Sequence, residues 1–334
     1  MIRMELGVNS YNIILKRGGL EKAGEYLNLN RKVMIVTDSG VPIQYAEKVA
    51  MQCKESYIKV IPQGEGSKTL QVVEETLTEM LESQFSRKDC VVAVGGGVVG
   101  DLAGVVAALY MRGIDFYNVP TTVLSQVDSS IGGKTAVNLA GIKNIVGAFH
   151  QPKAVLIDSD TLQSLSQRQI VNGLFEAVKM GVTNDEELFR LFLYQDWKTE
   201  LDVIIEKALL VKKTIVEQDE KECHLRKILN FGHTIGHGFE SAAKGKYLHG
   251  ECVALGMLYM SSEEVKKKLL SVYEKLGFVI PDICSFSLEE VKKAILHDKK
   301  ANSQNCSVVY VSEIGKGLIE EWPMERVLNR LESK

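Results

Sequence analysis

Residues 90–111 read CVVAVGGGVVGDLAGVVAALYM. The run is apolar enough to suggest a membrane span, but it contains five glycines and Asp101. A spanning helix needs about 20 residues without such interruptions. The stretch divides better into a buried strand over 90–96, a Gly-rich turn, and a helix from Asp101 onward. Gly95, Gly97 and Gly100 meet the spacing G-x-G-x-x-G. Glycines so placed let backbone N–H groups approach a pyrophosphate at a helix N-terminus. Two features depart from the usual dinucleotide fingerprint. The motif follows the third strand instead of the first, and no clear acidic ribose ligand stands about 20 residues on. Asp38, at the end of the first strand, is another acid able to bind ribose.

Outward from this unit, short apolar runs alternate with helical patterns. RKVMIVTD (31–38), YIKVIP (57–62), FYNVPTT (116–122) and KAVLIDS (153–159) read as strands. A helix is expected over 41–53, and another over 67–82 with Ser67 as its N-cap. Such alternation implies βαβ units and a mostly parallel sheet. Beyond about residue 160 nearly everything reads as helix: 166–181, 185–195, 199–218, 226–243, 249–269 and 288–296, with one β-like run at 307–313. The expected architecture is α/β. A Rossmann-like parallel-sheet domain over 1–158 is followed by a mostly helical domain over 159–334, with ligands in a cleft between them.

Bulk composition narrows the function classes. The 334 residues are 45 % hydrophobic and 25 % charged, which suits about two globular domains. Lys plus Arg total 40 against 43 Asp plus Glu, a net charge of −3, so nothing favours a nucleic-acid or membrane partner. Six cysteines without a C-x-x-C pair read as reduced thiols in a cytoplasmic protein. MIRMELGVNSYNIILKRGG lacks an apolar signal-peptide core, so no signal peptide is expected.

Four further stretches carry candidate chemistry. QGEGSKT (63–69) is a second Gly-rich turn, with Glu65 and Lys68. DSSIGGKTAVNLAGIKN (128–144) fails the P-loop spacing, since Asp128 stands where the first glycine belongs. It still sets Lys134, Lys143 and Asn144 among small residues, and lysine is a good point charge for phosphate. In GLFEAVKMG (173–181), Glu176 and Lys179 share a helix face. The plain alternatives are a polar turn, a solvated loop and a surface ion pair.

LNFGHTIGHGFE (229–240) puts His233 and His237 four apart, on one helix face. Thr234 after His233 rules out H-E-x-x-H. His249 follows in YLHGE, giving three of the six histidines within 17 residues. That density points to a metal, and a Glu from another helix would complete a His₂Glu set with an open position. Spacing alone leaves open which two histidines bind. Lys212 lies upstream, and Arg226, Asn230, His233 and His237 fall at helical intervals that predict one stripe.

Taken together, GEGSKT, GGGVVGD, MRG, VPTTVLSQVDSSIGGKTAVN, GIKN, FEAVK, LRKILNFGHTIGHGFE, LHGE and HDKK resemble the 3-dehydroquinate synthase family of sugar-phosphate cyclases, in order over nearly the whole chain. The resemblance implies a divalent metal, Zn²⁺ or Co²⁺, on Glu176, His233 and His249, with His237 contacting substrate. It implies NAD at Asp38, Glu65, Lys68, Gly96, Gly97, Val98, Asp101, Thr121 and Thr122, with Lys134 and Lys143 alongside. Substrate would meet Arg112, Asp128, Lys134, Lys143, Asn144, Lys179, Lys212, Arg226, Asn230 and one of Lys299 or Lys300. The Arg112 match reaches into the partner's site, which implies a homodimer.

The implied substrate is 3-deoxy-D-arabino-heptulosonate 7-phosphate. NAD oxidises C5, phosphate is eliminated, the hydride returns, the ring opens, and aldol closure gives 3-dehydroquinate. Arg226 suits the carboxylate; Lys134, Asn144 and His237 suit the phosphate. Rival readings are another cyclase such as 2-deoxy-scyllo-inosose synthase, a metal-dependent polyol dehydrogenase that would release NADH, and a non-catalytic binding protein. Departures from the family pattern are Phe175, Ala177 and the segment ANSQNC after HDKK.

Overall fold

The strands of the first half are β1 (Ile2–Met4), β2 (Tyr11–Leu15), β3 (Lys32–Asp38), β4 (Glu55–Ile61), β5 (Cys90–Gly95), β6 (Asp115–Pro120), β7 (Lys134–Leu139), β8 (Ile142–Phe149) and β9 (Ala154–Ile157). In the computed structural model, which describes residues 1–298 and 305–332, seven of these form one sheet in the order β1-β2-β9-β6-β5-β3-β4. Only the β1–β2 pair is antiparallel; the other pairings are parallel. Four helices accompany them: α1 (Ala23–Tyr26), α2 (Ile43–Ala50), α3 (Leu70–Glu82) and α4 (Gly97–Leu109).

The unbroken apolar run in β3 has a direct cause. Met34 and Val36 pack into one apolar cluster with Val73, Met80 and Leu102, while Val33 and Ile35 pack into another with Ala46 and Val49. A strand covered on both faces has no polar side to show. From β3 onward, the chain visits β4 on one side of β3 and then β5, β6 and β9 on the other. The order therefore reverses between β3 and β5. Ligands of open α/β sheets bind beyond the strand C-termini at such a reversal.

Several local features differ from the sequence expectation. Thr69, not Ser67, caps α3, its side chain accepting from the Val72 N–H. Ser67 instead ends a 3₁₀ turn (Glu65–Ser67) and donates to the Pro62 carbonyl at 2.5 Å. The β1–β2 pair was not anticipated. Residues 134–149 form the β7–β8 hairpin, which was not anticipated either.

The chain divides into two compact units, Met1–Ile170 and Val171–Lys334. Helices of the second half are α5 (Gln167–Asn184), α6 (Glu186–Tyr194), α7 (Leu201–Gln218), α8 (His233–Ala243), α9 (His249–Tyr259), α10 (Glu263–Lys275), α11 (Leu288–Asp298) and α12 (Met324–Glu332). The β-like run is β10 (Asn305–Glu313), paired antiparallel with an unanticipated β11 (Lys316–Pro323). Two expected helices are each broken. Residues 226–243 form a 3₁₀ turn (Leu225–Asn230) and then α8, separated by Phe231 and by Gly232 at φ +78°. Residues 249–269 break into α9 and α10, because Met260 and Ser262 bond to Val311 of β10 and Ser262 caps the new helix. Among the described residues no helix is long and apolar enough to cross a membrane.

Candidate active site

In the first unit, the expected NAD residues gather where the strand order reverses. Asp38 ends β3 and accepts the Gly40 N–H at 2.8 Å. Gly96 caps α4, and Gly97 and Val98 open it. A Cβ on Gly96 would stand 3.1 Å from the Thr122 methyl, so a larger residue would crowd the turn. Thr121, just past β6, donates its N–H to the Gly95 carbonyl at 2.9 Å. These groups occupy the C-terminal ends of β3, β5 and β6, and α4 points its N-terminus at them.

Beside them Lys68, 4 % exposed, ion-pairs with Asp101 at 2.5 Å and bonds to the Asn144 side chain. Asn138 ties this group together. It donates to Glu65 at 2.8 Å, accepts the Asn144 N–H at 2.9 Å, and donates its own N–H to the Lys68 carbonyl at 2.8 Å. Lys134 and Lys143 are exposed on the hairpin, and Asp128 lies in the turn Ser125–Ser129. Arg112 is placed apart from this group. It follows the far end of α4, about 20 Å from Gly97 by helical rise.

In the second unit, Glu176, Lys179, His233, His237 and His249 come together. Glu176 and Lys179 are each 1 % exposed and form an ion pair within α5. Glu176 Oε1 lies 3.5 Å from His249 Nε2 and 3.8 Å from His233 Nε2, and has no hydrogen-bond partner. The opposite ring nitrogens are engaged. His233 Nδ1 donates to the Phe231 carbonyl at 3.2 Å, and His249 Nδ1 to Glu240 at 2.8 Å. Both Nε2 atoms therefore face the orphaned carboxylate oxygen. The ligand atoms of the three histidines lie within 4.8 Å of one another. His237 stands with its ring centroid 5.2 Å from that of His233.

Close packing of α8 on α9 makes this convergence possible. A Cβ on Gly256 would fall 1.9 Å from the Gly232 carbonyl oxygen, and one on Gly236 2.9 Å from that of Cys252. Only glycine lets the two backbones meet so closely.

The electrostatics suit a cation. Burial alone would raise the Glu176 carboxyl, but the Lys179 ammonium, together with His249 and His233, outweighs it and holds the group well below the usual carboxylate range. Burial and the Lys179 charge hold His233 well below the ordinary imidazole value. Burial also pulls His249 down, yet Glu176 and Glu240 overcome it and push the ring to about 9. One anionic carboxylate and two oriented imidazoles fit the donor set of Zn²⁺ or Co²⁺.

Lys212 is buried on α7, and Arg226 is 2 % exposed on the 3₁₀ turn. Arg226 donates to the Glu220 carbonyl at 2.5 Å, and Asn230 to Glu222 at 2.7 Å. Because the helix breaks at Gly232, the predicted single stripe through Arg226, Asn230, His233 and His237 does not form; only the two histidines share a face. Lys299 and Lys300 lie outside the described residues. Three supporting side chains escaped sequence reasoning: Asn138, Glu240, and Asp219, which accepts the N–H groups of Cys223, His224 and Arg226 at 2.8, 2.7 and 3.0 Å. Glu240 had a signal, since it falls seven residues after His233 and three after His237 on the same face.

Comparison with known proteins decides the family. The family model described as 3-dehydroquinate synthase N-terminal matches residues 58–172, and the C-terminal one matches 173–301. The chain belongs to the 3-dehydroquinate synthase family. A 3-dehydroquinate synthase of Streptococcus thermophilus is 40 % identical over 353 residues, covering 99 % of each chain. Two solved cyclases share the architecture. A 2-deoxy-scyllo-inosose synthase, complexed with carbaglucose-6-phosphate, NAD⁺ and Co²⁺, is 26 % identical at a TM-score of 0.89, covering 99 % of this chain and 98 % of its own. The 2-epi-5-epi-valiolone synthase of Streptomyces hygroscopicus subsp. jinggangensis, with NAD⁺ and Zn²⁺ bound, is 25 % identical at 0.87, covering 98 % and 96 %. The 3-dehydroquinate synthase family thus outranks the inosose synthases as this chain's kin, and the parallel-sheet domain matches theirs in fold.

Proposed function

We propose that this chain converts 3-deoxy-D-arabino-heptulosonate 7-phosphate to 3-dehydroquinate and phosphate, with NAD and a divalent metal. The observation that carries the reading is the orphaned Glu176 oxygen facing two oriented histidine nitrogens beside buried Lys179, in a chain of this family. Asp38 is suited to accept ribose hydroxyls, and the α4 N-terminus to meet pyrophosphate. Glu176, His233 and His249 would hold the metal. When bound, the cation supplies Lewis acidity at the reacting oxygen, and NAD supplies reversible hydride acceptance.

The substrate carries a carboxylate and a phosphate. Arg226, already buried and with a fork geometry, suits the carboxylate. In the first unit Lys134, Lys143 and Asn144 suit phosphate, with Asp128 as a further substrate candidate; in the second unit the candidates are His237, Lys179, Lys212 and Asn230. Buried lysines such as Lys179 and Lys212 concentrate positive charge in a chain of net charge −3. Arg112 stands far along α4 from Gly97, which supports a role toward the partner's site in a homodimer.

Product analysis tests the substrate. Purified protein with NAD⁺ and Co²⁺ should yield 3-dehydroquinate from the heptulosonate phosphate and nothing from glucose 6-phosphate. A carbocycle formed from glucose 6-phosphate instead would make it an inosose-type cyclase.

A further inference from the structure

We propose that Glu240 is a positioning residue for the metal site: its carboxylate fixes His249 so that Nε2, and not Nδ1, is presented toward Glu176. The inference rests on the metal reading above and adds a role outside the ligand set. His249 is the first residue of α9, and its side chain is 32 % exposed. Without a partner on Nδ1, either ring nitrogen could face the cavity. Glu240, on α8 and 18 % exposed, accepts from His249 Nδ1 at 2.8 Å. That bond selects the tautomer and places Nε2 at 3.5 Å from Glu176 Oε1.

The two histidines are supported differently. His233 leans on a backbone carbonyl, that of Phe231, whose position is set by the break before α8. His249 leans on an anion. A carboxylate behind an imidazole raises its basicity as well as orienting it, and loss of such a partner weakens metal binding roughly 10–100-fold. The α8–α9 contact that brings the histidines together also brings Glu240 to His249. One face of α8 thus carries a ligand, a substrate-contacting candidate and an orienting group.

The test uses Co²⁺ with full-length wild type, Glu240→Ala and Glu240→Gln. Affinity is read by competition with a chromogenic chelator, geometry by the cobalt visible bands, and folding by circular dichroism. Glu240→Ala should raise the Co²⁺ dissociation constant about 10–100-fold and shift the bands. Glu240→Gln retains an acceptor oxygen but not the charge, so it should fall between the two with an unchanged fold. Wild-type affinity and bands in both variants would overturn the role of Glu240 while leaving the site intact. Failure of the wild type itself to take up Co²⁺ would overturn the site reading and this inference together. If Glu240→Ala does not fold, the Glu240→Gln spectrum and affinity decide alone.

Discussion

His233 and His237 share a face of α8, yet their surroundings differ, and the proposed function gives them different tasks. His233 directs Nε2 at an unpartnered carboxylate oxygen, with burial and Lys179 holding it in the neutral form that metals require. Replacing His233 with Ala should abolish stoichiometric metal and activity. Replacing His237 with Ala should keep the metal and lower turnover at least 100-fold, in the range of a lost acid–base or charge-stabilising group. Equal metal depletion of both, by elemental analysis, would refute the division of labour. His249 adds a pH signature. Raised to about 9 by Glu176 and Glu240, it carries a proton at neutral pH that a metal must displace. Apparent affinity should therefore climb with pH and level off near 9. Competition titrations at several pH values that show no climb would contradict this.

At the scale of elements, what was legible follows from burial. β3 and β5 read plainly because both faces are covered, but α4 starts at Gly97, four residues before the expected Asp101, since the glycines read as a turn form its first turn. The break at Gly232 was not legible, since Ile228, Leu229, Phe231 and Ile235 keep an apolar rhythm across it. Gly232 is left-handed there, and α9 packs so close that no Cβ fits, two constraints that only glycine meets and that the apolar rhythm does not reveal. The β7–β8 hairpin was obscured for a related reason. Its β8 residues are nearly all exposed and show no alternation. The packing yields a prediction. Gly256→Ala forces a methyl onto the Gly232 carbonyl, and overpacking of this kind costs about 1–3 kcal/mol. Urea unfolding should report that loss, with weaker metal binding as His233 and His249 separate. Unaltered stability would mean that the α8–α9 approach is slack.

For the whole molecule, the candidate ligand residues stand out together because the motifs occur in order along the chain, whereas their geometry was not legible. Which two histidines turn Nε2 toward Glu176 depends on ring orientations held by the Phe231 carbonyl and Glu240, and no spacing rule encodes that. Assembly makes its own prediction. If Arg112 serves the partner's site, mixed dimers of Arg112→Ala and His237→Ala subunits contain one intact site. Co-expression should then recover roughly a quarter of wild-type activity from two nearly inactive parents. No recovery, with mixed dimers verified by mass spectrometry, would place Arg112 in its own subunit's site or in none.

The proposed function requires that NAD be used and regenerated within one turnover, as in a cyclase and unlike a dehydrogenase. The most direct measurement follows phosphate release and NADH absorbance together, with metal-loaded protein, catalytic NAD⁺ and the heptulosonate phosphate. Many turnovers of phosphate per NAD, with no NADH accumulating, is the predicted result. NADH rising in step with substrate loss, without phosphate, would contradict it.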